Sequence, residues 1–159
     1  MMKSTILQFL FLTIFSLSAH AEECMVSTDA RALLKGAPGV KAEKLLADEG
    51  RYSAVLNNGD TLVAQFATCS LGTSVHYFVV KQPDDKQLND LVSNLLSRIL
   101  PSEAVVQKVL PQLKGKKAAE FSQGVVLEGM NDQHQIKVMP STSPVFATVI
   151  QYSWIPPEH

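Results

Sequence analysis

Six apolar residues, Leu88, Leu91, Val92, Leu95, Leu96 and Ile99, recur at helical spacing with Asn89, Asp90, Ser93, Asn94 and Ser97 opposite them. A stripe that long cannot stay in water, so the rest of the chain has to supply an apolar surface to cover it. Asp84, with Gln87 three residues on, has the pattern of a capping box. Pro101 ends the segment, because the residue before a proline is pushed out of helical space. Ser102 can cap a second helix carrying Val105, Val106, Val109 and Leu110 on one side. Pro111 is expected to interrupt it, and Gly115, Lys116 and Lys117 mark a break.

The covering surface is expected to be β-sheet. Arg51 to Cys69 reads as a hairpin turning at Asn57-Asn58-Gly59. A three-residue loop with Gly59 at positive φ pairs Tyr52 with Ala64 and Ala54 with Leu62, and gathers Tyr52, Ala54, Leu56, Leu62, Ala64 and Phe66 on one face. A two-residue loop would scatter them. Ser74 to Val80, Gly124 to Glu128, His134 to Met139 and Val145 to Ile155 read as further strands, the last with Phe146, Ile150, Tyr152 and Trp154 on one face. Before the hairpin, Thr28 to Leu34 and Val40 to Glu49 are expected to be short helices stopped by Gly36 and Gly50. The class is α+β: antiparallel sheet from two three-stranded meanders, a long amphipathic helix packed on one face, and a weak α-βββ pseudo-duplication at an offset of about 71 positions.

The N-terminus carries different information. Lys3, the apolar run Ile6 to Leu17 and Ala19-His20-Ala21 have the layout of a secretory signal peptide, so residues 1–21 are expected to be removed, leaving one domain over 22–159. The apolar run falls short of the roughly 20 residues that span a bilayer, and no later segment reaches that length. Glu22 and Glu23 before Cys24 do not fit a lipidation site. The expected location is periplasmic or secreted. In such a compartment Cys24 and Cys69, the two cysteines of the chain, are expected to pair.

Charge excludes one class of partner. Fourteen Lys+Arg against 15 Asp+Glu give a formal charge of −1, with no basic footprint for nucleic acid. The one basic cluster, Lys114, Lys116 and Lys117, reads as a solvated helix end. Serine-hydrolase, zinc-protease, dinucleotide and P-loop signatures are missing from the sequence, and no cofactor is expected. His76 and His134 could form a base or a pH sensor across a sheet, but no acid stands at fixed spacing from either. Met130, His134 and Met139 could suit copper(I), yet strand alternation turns Met139 away from His134.

The expected function is therefore binding: a small exported protein, of inhibitor or immunity type, acting on another envelope or secreted protein. Its candidate loops are Asn57 to Asp60 in the hairpin turn, with Asn57, Asn58 and Asp60 foremost, Ser70 to Thr73, and Gly129 to Gln133 between the later strands, with Asn131 and Asp132 foremost. Trp154, near a strand end, is the candidate surface aromatic. A carrier for lipid or envelope polymer, with a cleft between Leu91/Leu95 and Phe146/Ile150, is the alternative. A hydrolase with a non-contiguous histidine site is a third.

Overall fold

The computed structural model describes residues 39–46, 50–66, 73–100, 102–130 and 133–155. Their elements run β1 (Val40–Leu46), β2 (Arg51–Leu56), β3 (Thr61–Phe66), β4 (Thr73–Val79), α1 (Asp85–Ile99), α2 (Glu103–Leu113), α3 (Ala118–Ser122), β5 (Val125–Leu127), β6 (Gln133–Pro140) and β7 (Thr148–Ile155). All strands join one antiparallel seven-stranded sheet in the order β1-β2-β3-β4-β7-β6-β5. The fold is α+β. No described helix is long and apolar enough to cross a membrane.

The hairpin forms in the expected register, Tyr52 opposite Ala64 and Ala54 opposite Leu62. Gly59 has φ +89, and the loop closes with Leu56 N donating to Asp60 O at 2.8 Å and Gly59 N to Leu56 O at 2.9 Å. Tyr52, Ala54, Leu56, Leu62 and Ala64 are consequently buried together. Across the sheet, Val75, Tyr77, Val79, Leu127, Ile136, Val138, Ile150 and Tyr152 continue that face. Leu88, Val92, Leu95, Leu96 and Ile99 of α1, Val106, Val109 and Leu113 of α2, and Phe121 of α3 complete the core against it. All three helices thus bury their apolar sides on the same face of the sheet.

Asp84 caps α1 as expected: its carboxylate accepts from Gln87 N at 2.8 Å, and the Gln87 side chain accepts from Asp84 N at 3.1 Å. Ser102 caps α2.

Three local expectations are corrected. Val40–Leu46 is an edge strand, not part of a helix; its residues are exposed or half-exposed and offer no buried helical stripe, so pairing with β2 decides its conformation. Pro111 lies within α2, which runs on to the buried Leu113. In a last turn a proline forfeits one backbone hydrogen bond, which the anchoring of Leu113 offsets. Phe146 precedes β7 and packs its ring 5.3 Å from that of Phe78, on the face away from the helices. Of the cleft that a carrier would need, Phe146 therefore faces away from α1, and Leu95 and Ile150 are closed inside the core. The segment Thr28 to Leu34 and both cysteines lie outside the described residues.

Candidate functional site

The β2–β3 turn stands at the sheet end where β4 leaves for α1. Its geometry is set by Asp60, a carboxylate only 5% exposed. Burying such a group is costly unless donors surround it. Asp60 Oδ1 accepts from Val80 N at 3.0 Å, and Oδ2 accepts from the Tyr77 hydroxyl at 2.9 Å and from Asn58 Nδ2 at 2.8 Å. Asn58 Oδ1 in turn accepts from Asp60 N at 3.1 Å, so the turn is locked within itself and to the end of β4. Burial and the neighbouring Asp60 charge push the Tyr77 hydroxyl far above its ordinary pKa, which keeps it a donor.

Beside this hub lies a groove of about 540 Å³ between the turn and the first turns of α1. Its walls combine the aliphatic surfaces of Val80, Pro83 and Leu91 with the amides of Asn58 and Asn94 and the charges of Lys81 and Asp90. A second groove, about 460 Å³, runs between α1 and α2 over Ser93, Gln107, Leu110 and Lys114. Asp90 borders both, so the polar side of α1 forms a ridge flanked by two depressions. Amides and one charge of each sign over an aliphatic floor are suited to holding polar main chain and one apolar side chain of a ligand.

The sequence-expected residues divide between the two ends of the sheet. Asn57, Asn58 and Asp60 stand at the groove end, the first two exposed. Asp60, the third candidate of this turn, is its buried hub and borders the groove. Thr73 and Gln133 stand at the far end, as the pairing of Thr73 with Trp154 and of Gln133 with Ile155 requires. Asn131 and Asp132, and Ser70 to Gly72, lie outside the described residues. Trp154 is corrected: it is 5% exposed, packed beside His134, with no hydrogen-bond partner for its indole N–H among the described residues. Its place in the alternation of β7 turns it to the helix side, with Ile150 and Tyr152.

The two histidines face opposite sides of the sheet. His134 is fully buried and hydrogen-bonds Tyr152 through Nδ1 at 2.6 Å. His76 lies on the helix-free face beside Phe78, where burial lowers its pKa. Neither lines the groove. Among the described residues no three His, Cys, Asp or Glu side chains group as metal ligands. The lysine cluster stands at helix ends: Lys116 pairs with Glu120 at 3.3 Å, its carbonyl accepts from Asn89 Nδ2, and Lys117, at the N-cap position of α3, donates its backbone N–H to the Glu120 carboxylate at 2.9 Å.

The groove residues that sequence reasoning missed are Lys81, Asp90 and Asn94; Leu91, expected in a cleft against Phe146 and Ile150, lines this groove instead. The available signal was the short span from β4 to the Asp84 cap, which forces the first turns of α1 back over the hairpin end. Comparison with protein-family models, with curated proteins and with solved structures finds no match.

Proposed function

We propose that the chain is a small exported binding module that acts on another envelope or secreted protein through the groove between the β2–β3 turn and α1. The observation that carries this reading is the Asp60 hub: a buried carboxylate with three donors holds Asn58 in place beside Asp90, Leu91 and Asn94. A loop fixed in that way loses little entropy on binding, which favours recognition by shape. Export follows from the signal-like residues 1–21, and the Cys24–Cys69 bond from the two cysteines of the mature chain.

The test is capture from an envelope fraction with the chain from Glu22 onward as bait, followed by titration of the captured protein. Leu91→Arg and the pair Asn58→Ala/Asn94→Ala are expected to weaken binding about tenfold or more, the range of groove-centre contacts. Lys108→Ala, exposed on α2 and outside both grooves, should leave it unchanged. Groove variants that bind like the wild type would remove the assignment.

A further inference from the structure

The helix-free face of the sheet has an order across the strands that no single strand reveals. Strand register places Lys44, Ser53, Val63, His76, Gln151 and Lys137 side by side in one lateral row over six strands. Two residues along each strand, a second row reads Ala42, Val55, Thr61, Phe78, Val149 and Met139. The first row ends in an exposed lysine on each side. The second is apolar apart from one threonine, and the Phe146 ring extends it through its contact with Phe78. Among the described residues, no Asp or Glu lies on this face of any strand, although acids outnumber Lys+Arg in the whole chain.

We propose that this face is a docking surface for an acidic amphipathic helix of a partner protein. Three arguments select that occupant. The row that ends in the two lysines and the apolar row lie about 7 Å apart, close to the spacing of adjacent side-chain stripes on a helix. The two lysines are separated by five strand spacings, about 24 Å, which a helix covers in about 16 residues. The sign of the row asks for carboxylates, and among the described residues neither Lys44 nor Lys137 is in an ion pair. A second copy stacked here would set lysine against lysine. An anionic membrane would meet the same charge, but Val55, Phe78 and Phe146 are half-buried and do not protrude as an inserting anchor does. This surface is separate from the groove and takes from the proposed function only that the chain binds proteins.

The probe is a synthetic 16-residue helical peptide with one leucine stripe and one adjacent glutamate stripe, titrated into the isotope-labelled chain from Glu22 onward. Saturable binding is expected, with amide shifts centred on Val63, His76, Phe78 and Gln151, and weakening as salt screens the lysines. Lys44→Glu/Lys137→Glu should reduce affinity about tenfold or more while leaving the urea midpoint unchanged, because both side chains are exposed. Gln151→Glu, which puts a carboxylate mid-row, should weaken binding in the same direction. A peptide in which lysine replaces glutamate should not bind. The proposal is overturned if the acidic peptide does not bind, if it binds with shifts at Asn58 and Asn94, or if the lysine reversals leave its affinity unchanged. Phosphatidylglycerol vesicles that bind through these lysines when the peptide does not would assign the face to lipid and also overturn it. Leu91→Arg should not affect peptide binding, so loss of the groove assignment and loss of this one are read separately.

Discussion

A carboxylate withdrawn from water and given three donors behaves as one unit with its neighbours, and Asp60 is tied in this way to Asn58, Tyr77 and Val80. Tyr77→Phe removes one donor from a charged acceptor and is expected to cost about 1.5–3 kcal/mol. In an Asp60→Ala background the same change should cost far less, because its acceptor is gone. Urea denaturation of the wild type, both single variants and the double variant closes this cycle. Equal costs of Tyr77→Phe in the two backgrounds would show that the hydroxyl and carboxylate do not cooperate. At this scale the sequence was half legible. The Asn57-Asn58-Gly59 turn and its register follow from local chemistry and from the face that one register assembles. The burial of Asp60 does not, since its donors at Tyr77 and Val80 lie one strand further on. Trp154 failed for a related reason: closeness to a strand end says little about which face the strand alternation presents.

At the scale of elements, strong periodicity was readable and weak periodicity was not. The stripe, capping box and stop of α1 all appear where their residues place them. Val40–Leu46 has alternating charges and two adjacent leucines, a pattern that fits neither period well. Its strand identity comes from the partner edge of β2. Within α1 the stripe is not uniform: Leu95 is 2% exposed in the core, whereas Leu91 is partly buried, packing against the core from the groove side. Leu95→Ala is therefore expected to cost about 2–5 kcal/mol. Leu91→Ala, which opens little cavity, should cost about 1 kcal/mol or less. Urea midpoints of the two variants measure the difference, and a similar loss for both would mean that Leu91 belongs to the core. A small stability cost at Leu91 also makes it a usable probe of the groove.

For the molecule as a whole, the sheet divides the chain's work. One face is consumed by the three helices, the other carries the banded row of lysines and apolar residues, and the groove sits at one end. Neither the joining of both strand sets through β4 and β7 nor the rows that this joining creates can be read from periodicity, because they depend on pairing between strands far apart in sequence. The β3–β4 connection, which contains Cys69, starts and finishes at the sheet end opposite the groove, between Phe66 and Thr73. A bond from Cys24 to Cys69 would tie Cys24 to the connection at that far end. Its contribution would come mainly from restricting the unfolded chain, roughly 4 kcal/mol for a loop of this span. Reduction is then expected to lower the urea midpoint strongly while changing partner affinity less than about twofold at temperatures where the reduced chain is still folded, because the bond acts on the unfolded state and the groove is remote from it. Thiol titration of the denatured, unreduced protein should find no free thiol. Two titratable thiols would show that the cysteines are not bridged, and a large loss of affinity on reduction in folded protein would place the binding surface at the far end of the sheet.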